Sequence, residues 1–511
     1  MTLTQARPHT VSAIDVALSS AAGNSADAVG TAGSGGPTLK KTFKPSWVFA
    51  MALGSAIGWG AFVLPFDWIS SAGLAGTLIG FLIGGLVISI IGLNYGVVVR
   101  HLPVTGGGVA YALATLGRVS AFIAGWCLTL GYTGIVALNA SAVTLVFRVT
   151  LPDLVMRAKL YTVAGWDIYL PEVIIASLFI LAFGYFNHRG SSLSGQFQFF
   201  AVVAMLVAVA VVLVSMLVYF FTNDIELAPA QPSGVSMTHA IIVILVFAPW
   251  AFVGFDTVPQ LAGEFNFSPK KALALLLWGI GGATFIYMAM MVSTSIAVGT
   301  NSAAYADSAW PPAMAISDIM GPIGLILMLI GVTAGVLTGL NGFMTATSRV
   351  LFTMGRANML PPAFKQLHPR FETPTIAIIV TCAIALISPW FGRAALSWVV
   401  DMTSVGITVA YFFACATTFM IGRGKVLPGM RRAVDSSWQL TLLGATGCVV
   451  AVAFAALLLV PASPGALGRE SMIALVAWCV LGVVVWFACR RRYFGTSIRK
   501  VHREVFGRAR R

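Results

Sequence analysis

Gly54-Ser55-Ala56-Ile57-Gly58-Trp59-Gly60 puts three glycines inside an apolar run that extends from about Trp47 to Ile69. A helix crossing lipid must satisfy every backbone N–H and C=O internally. Each glycine weakens such a helix by about 0.5–1 kcal/mol relative to alanine. Two readings fit the cluster. One is a membrane helix broken at mid-depth, whose bare N–H groups face a cavity and offer a seat to an anion. The other is a seam of small residues against which a second helix packs closely.

A second stretch tips the balance toward the break. Phe247-Ala248-Pro249-Trp250-Ala251-Phe252-Val253-Gly254-Phe255-Asp256-Thr257-Val258-Pro259 carries two prolines, a glycine and an acid inside another apolar run. Proline removes a backbone donor and clashes with the preceding turn. Paired interruptions in corresponding positions of two halves point to the binding site of a transporter.

The surrounding composition is that of a polytopic membrane protein. Of 511 residues, 58% are hydrophobic and only 9% charged, against about 25% charged in a soluble domain. Apolar runs of spanning length, about 20 residues, recur twelve times. They fall near 46–70, 74–99, 119–146, 171–187, 192–221, 237–263, 272–299, 322–353, 374–391, 395–421, 438–461 and 470–489. The interrupted runs are the first and the sixth. Five spans separate them, so the second half is expected to be inverted relative to the first.

Twelve spans put both termini on one side. With the termini inside, only Arg148, Arg157, Lys159, Arg393 and Arg469 of the 31 Lys and Arg residues fall outside. The positive-inside rule then predicts both termini cytoplasmic. The net charge of +14 is therefore read as charge facing lipid headgroups rather than nucleic acid, with the basic tail from Arg490 as an anchor. Residues 1 to about 39, rich in Ser, Ala, Gly and Thr, lack a signal-peptide core and read as a disordered cytoplasmic tail. The six cysteines lie in or beside apolar segments without C-x-x-C spacing, which favours packing over disulfide or metal roles.

Few residues in the spans carry chemistry. Asp256 is a carboxylate expected near the membrane midplane, where placing a charge costs at least about 2.5 kcal/mol. It reads either as part of a pathway or proton relay, or as a cap accepting backbone N–H groups at the second break. Asp401 in the tenth span is a weaker candidate. Asp67 reads as interfacial, and Glu264 as a surface salt bridge or gate before Pro269-Lys270-Lys271. Trp250, Phe252 and Phe255 either wall a pocket or pack the core. Gly106-Gly107-Gly108 after Pro103 reads as a turn. Metal-ligand spacing, H-E-x-x-H, Walker A and G-x-S-x-G sequences are absent. No metal, no cofactor and no enzyme activity are expected.

Four motifs in order resemble the amino acid–polyamine–organocation (APC) superfamily of permeases. They are Gly54 to Pro65; Pro103 to Tyr111 with Gly117 and Gly125-Trp126; Phe252 to Asp256 with Ala262-Gly263-Glu264; and Ser348 to Arg356 with Leu360-Pro361 and Thr373-Pro374. The resemblance implies an all-α fold of twelve transmembrane helices in a five-plus-five inverted repeat. The core would cover 45–422, with repeats of about 45–222 and 236–422. A tail over 1–44, helices 11 and 12 within 423–490, and a basic tail over 491–511 complete the chain. It also implies alternating access in the cell membrane. The substrate carboxylate would sit on N–H groups of Gly58, Trp59 and Gly60, with Ser55 and Ile57 beside them. The amino group would meet carbonyls of Trp250, Ala251 and Val253, with Phe252 covering it and Asp256 gating.

Trp59 stands where the family often has a small residue. Where some proton-coupled members carry a helix 5 lysine, the best match here is Met205. Coupling by a carboxylate, by sodium near Thr338, or obligate exchange all remain open at this point. The expectation is an amino acid permease, with proton-driven uptake as the leading form. A polyamine or other organic-amine carrier and an obligate exchanger are the alternatives. Pocket size is expected to depend on Trp59, Phe252 and the part of helix 3 around Tyr132 and Thr133. Neither the carried side chain nor the oligomeric state is read from the sequence.

Overall fold

The computed structural model describes residues 39–227, 230–232, 234–392, 394–425, 436–463 and 465–507. Most of the expected N-terminal tail, Arg393 and the end of the basic tail lie outside the described residues.

Pro45, pre-set for a first helical turn, opens α1 (Pro45–Ile57). Gly58 ends it at φ 53°, ψ −153°, a region in which only glycine sits without strain. A short α2 (Gly60–Val63) follows, then α3 (Pro65–His101), bent at Gly73 with φ 68°, ψ 166°. That bend marks the division expected between the first two spans.

Gly106 turns the chain into α4 (Gly107–Thr115), and α5 (Arg118–Thr150) begins after Gly117. An antiparallel hairpin, β1 (Lys159–Val163) with β2 (Trp166–Tyr169), was not expected from the sequence. Next come α6 (Leu170–Arg189) and α7 (Ser191–Thr222). The sixth run is broken into α8 (Met237–Leu245), α9 (Ala248–Ala251) and α10 (Thr257–Gln260). Beyond it lie α11 (Ala272–Val298), α12 (Pro311–Met320), α13 (Pro322–Arg356), α14 (Thr375–Ala385) and α15 (Ala394–Gly422). The described chain closes with α16 (Trp438–Leu459), α17 (Arg469–Gly495) and α18 (Ile498–Phe506).

Nine described helices are long and apolar enough to cross a membrane. The other three expected spans are short or interrupted. Glycine and proline divide the first and sixth, and the ninth reaches spanning length only when the 3-10 turn Ser388–Phe391 is added to α14.

In the core, α1 packs between α7, α11 and α13, while α5 packs against α13 and α15. Glycines set these approaches. On α3, Cβ atoms added at Gly76, Gly80 and Gly84 would lie 2.7, 2.7 and 3.0 Å from Ala240, Ile244 and Ala248, so α8 and α9 lie almost against the α3 backbone. Gly54 has the same role on α1, where a Cβ would come within 2.6 Å of Val202 on α7. The opening glycine cluster therefore holds both a packing seam, at Gly54, and a helix break, at Gly58.

The described part of the basic tail is structured. Arg118 binds the carbonyls of Tyr493 and Thr496 at 2.8 and 2.6 Å. Val501 and Val505 on α18 are buried, so α18 lays its apolar face on the protein. His502 sits there too. Burial and the nearby Arg118 guanidinium hold its imidazole below the ordinary histidine range.

Candidate functional site

Ending α1 at Gly58 frees carbonyls that nearby hydroxyls collect. Thr338 Oγ1 on α13 donates to Gly54 O at 2.9 Å, and Tyr287 Oη on α11 donates to Ile57 O at 3.0 Å. The freed donors are treated differently. Among the described residues, no backbone hydrogen bond outside the regular helices starts from the N–H of Gly58, Trp59 or Gly60.

The second break lies at the same level. Gly254 adopts φ 135°, and a Cβ there would sit 2.4 Å from both the Ala56 nitrogen and the Ser55 carbonyl carbon. Both the conformation and the space require glycine. Val253 N–H takes the Trp250 carbonyl at 3.2 Å, while no hydrogen bond among the described residues ends on the carbonyls of Ala251, Phe252 or Val253. The two interruptions thus present donors on one side and acceptors on the other.

Between them lies a narrow cleft. Ser55, Ile57, Gly58, Trp59 and Gly60 line it, as do Trp250 and Val253. Ala251, Phe252 and Asp256 do not. Phe252 is fully buried against Phe81 and Tyr287, with ring centroids 6.1 and 6.2 Å apart. The part of α5 that faces the cleft is Ile135, Leu138 and Asn139, one to two turns beyond the expected Tyr132 and Thr133. Ala56, Tyr287 and Phe343 complete the lining. The lining contains no charged side chain.

Three polar atoms of this lining are buried without a partner: Ser55 Oγ, Trp59 Nε1 and Asn139 Oδ1. Asn139 Nδ2 donates to Ile135 O at 2.9 Å, which fixes the amide so that the oxygen is left over. Buried polar groups in folded proteins are nearly always paired, and each unmade bond costs about 1–3 kcal/mol. Among the described residues, three such atoms belong to the lining of this one cleft. Sequence reasoning passed over Asn139 because a single amide in an apolar span is as often a packing contact as a ligand.

Asp256 sits beside the cleft, fully buried. Its Oδ1 accepts the Gly254 N–H at 2.8 Å and its Oδ2 the Tyr132 hydroxyl at 2.7 Å. The carboxylate therefore caps the glycine of the break, upstream of itself, and is tied to α5. Gln260 extends the chain of contacts, accepting the Gly108 N–H on Oε1 at 3.0 Å and the Gly106 N–H on its carbonyl at 2.8 Å. The triple glycine is thus more than a turn, because it docks the loop before α4 onto the broken segment.

Close contacts flank both breaks. At one end Trp59 meets Trp250 edge-on at 5.9 Å, and Trp310 Nε1 donates to Phe62 O at 2.9 Å. A second small hollow lies beyond Trp59, lined partly by Val63, Trp310 and Val332. At the other end Arg349 binds Glu264 through Nε–Oε1 and Nη2–Oε2, both 3.0 Å, and Ser191 joins both residues. Glu264 is fully buried. The surface alternative for this acid is corrected: its side chain is fully buried, and the Arg349 guanidinium offsets the cost of burial.

Other candidates lie apart from the cleft. Asp401 accepts the Ser471 hydroxyl at 2.7 Å, between α15 and α17. Asp67 is exposed. On α7, Gln198 and Val202 face Gly54. Gln198 Nε2 lies 3.3 Å from Ala50 O and 3.2 Å from Thr338 O. Met205 lies buried further along the same helix.

Known proteins share this sequence pattern. The amino acid permease family profile matches residues 43–485. The chain is 23% identical to the branched-chain amino acid permease BcaP of Bacillus subtilis, over 90% of this chain and 95% of that one. It is 26% identical to the serine/threonine exchanger SteT of the same organism, over 68% and 76% respectively. It is 24% identical to an L-asparagine permease of Salmonella typhimurium, over 89% and 88%. All three are carriers rather than enzymes. With its many apolar helices the chain is a multi-pass membrane protein, and it belongs to the amino acid permease family of the APC superfamily.

Proposed function

We propose that this permease carries a neutral amino acid across the cell membrane by alternating access, with proton-driven uptake as its direction. The observation that carries the reading is the cleft between the two breaks. It combines unused N–H groups, unused carbonyls and three unpartnered buried side-chain atoms. The substrate carboxylate rests on the N–H groups of Gly58, Trp59 and Gly60. The ammonium meets the carbonyl of Val253, since that of Trp250 is already taken and Ala251 lies off the cleft. A half-helix N-terminus suits the anion and a C-terminus the cation.

An uncharged lining supports a neutral side chain and speaks against a polyamine, which would favour several acids facing the site. Asp256 is the proposed proton carrier and gate, because it is the buried carboxylate bonded directly to the break. The oxygens near Thr338 face donors, its own hydroxyl on Gly54 O and Gln198 on Ala50 O and Thr338 O. This arrangement favours proton coupling or exchange over sodium. Twelve spans, two inverted repeats and cytoplasmic termini belong to the same proposal. The basic residues of even-numbered loops support it, with Trp59 and Trp250 then closing the outer end and Glu264 and Arg349 the inner.

Uptake by the purified protein in liposomes tests it, using labelled amino acids and amines with a pH gradient, a sodium gradient or neither. Accumulation of one or more neutral amino acids with the pH gradient is expected. Movement only into vesicles preloaded with substrate would make the protein an exchanger, as the name of SteT describes that relative. Movement of amines but of no amino acid would overturn the reading.

A further inference from the structure

Away from the transport cleft, α6 and α14 face each other across an open groove. Its walls are Leu181, Gly184 and Tyr185 on one side and Ile379, Ala383 and Leu386 on the other. From Thr375 to Leu386 the groove follows three turns of helix, about 16 Å at 1.5 Å per residue. Leu181, Tyr185 and Ile379 are exposed there, so the groove opens sideways from the helix bundle, where lipid chains lie.

One end of this groove is polar and basic. His188 closes α6, with Nδ1 3.2 Å from Thr375 Oγ1. His368 packs edge-on against it at 4.8 Å, and both rings contact Phe371. Arg189 lies over Phe371 at 5.1 Å, and Arg370 over the same ring at 5.5 Å. Both guanidinium groups thus lie over the same aromatic ring, and neither belongs to an ion pair among the described residues. The nearby acid, Glu372, is bound to Lys40 at 3.0 Å. An apolar groove whose polar end lies beside two arginines without an ion pair among the described residues has the charge pattern of a two-part molecule, hydrocarbon with an anionic head.

We propose that this groove is a binding site for an anionic phospholipid, one acyl chain lying between α6 and α14 and the phosphate held by Arg189 and Arg370. Guanidinium forks match phosphate oxygens in pairs, and juxtamembrane basic residues select anionic lipids. The bound chain would cover the open flank of α14, which packs against α13, the helix carrying Arg349.

Native mass spectrometry of the full-length protein tests this with equimolar phosphatidylglycerol and phosphatidylcholine of the same chain length. Retention of phosphatidylglycerol should exceed that of phosphatidylcholine on the order of tenfold. Arg189→Gln with Arg370→Gln should bring the two lipids within about twofold of each other. Ala383→Trp, which fills the groove and leaves the arginines in place, should lower retention of phosphatidylglycerol as well. If the double variant does not fold, Ala383→Trp still decides. Equal retention of both lipids, or an unchanged preference in the variants, overturns the proposal. So does inorganic phosphate alone displacing phosphatidylglycerol completely, which would make the arginines a soluble-anion site.

Discussion

Gly254 lies directly under Ala56: a Cβ on the glycine would stand 2.4 Å from the alanine nitrogen. The two chain breaks are thus in backbone contact, and one residue without a side chain makes that contact possible. Gly254→Ala must both adopt φ 135° and push α1 away. A backbone placed in such a region costs about 1–3 kcal/mol, before any steric term is added. The variant should melt at lower temperature in detergent and lose transport. Normal uptake at equal expression would contradict the packing described.

Asp256→Asn keeps the shape of the side chain. Its remaining oxygen can still accept the Gly254 N–H, and the new amide can donate to Tyr132. Folding and membrane insertion should therefore be nearly intact, while transport slows at least about tenfold if the carboxylate carries the proton. Uptake assays alongside size-exclusion profiles separate the two effects. Unchanged uptake would remove Asp256 from the coupling mechanism.

Glu264→Ala leaves Arg349 buried and unpaired, which costs about 3–5 kcal/mol. Replacing both members, Glu264→Met with Arg349→Met, should recover most of that loss, because no buried charge is left uncompensated. A thermal melt of the three proteins gives the comparison. A double variant as unstable as the single one would mean that the pair is held by more than its charges.

Asn139→Leu removes the unpartnered Oδ1 at little change in volume. A buried acceptor without a donor costs about 1–3 kcal/mol, so the substrate-free variant should be as stable as the parent or more so. Its affinity for substrate should fall by roughly fivefold or more, at 1.4 kcal/mol per factor of ten. Stability gained with affinity lost distinguishes a ligand contact from a packing residue. A loss of stability with affinity unchanged would assign Asn139 to packing.

The seat of α18 should respond to acid. His502 is held below its ordinary range, so its neutral form favours the docked helix and its protonated form the released one. Above a pH of about 6.5 the docked state is fully favoured. As pH falls below that value toward the folded pKa, the released helix binds the proton first and docking weakens. The titrating ring is faced by Arg118, and Arg356, Lys365 and Glu504 lie around the same seat. Hydrogen exchange at 498–506 should rise between pH 7 and 5, and His502→Phe should flatten that rise.

The two breaks were legible in the sequence because glycine and proline state their backbone effects locally. Gly58, Gly73 and Gly254 each sit where the chain turns out of helix. The remainder of the cleft was not legible. Asn139, Tyr287 and Phe343 come from α5, α11 and α13, far apart in sequence, and only packing brings them to the breaks. Glu264 looked like a surface acid because Pro269-Lys270-Lys271 follows it. Its burial depends on Arg349, 85 residues further on. The hairpin 159–169 escaped notice because its pattern is short and β1 is largely exposed.

Glu264 also has a second hold on the chain. Its carbonyl accepts the Phe43 N–H at 3.1 Å, and Asn266 N–H returns the bond to Phe43 O at 3.1 Å. The stretch before α1 is therefore spliced to the end of the sixth segment like two planks sharing a pin. An outward swing of either arm alone would break both bonds, at about 0.5–1.5 kcal/mol each, so the splice favours movement of the two together, with the side chain of Glu264 as its catch. Truncating the chain past Phe43 would remove the splice and leave the catch in place, so the two arms would become free to drift apart.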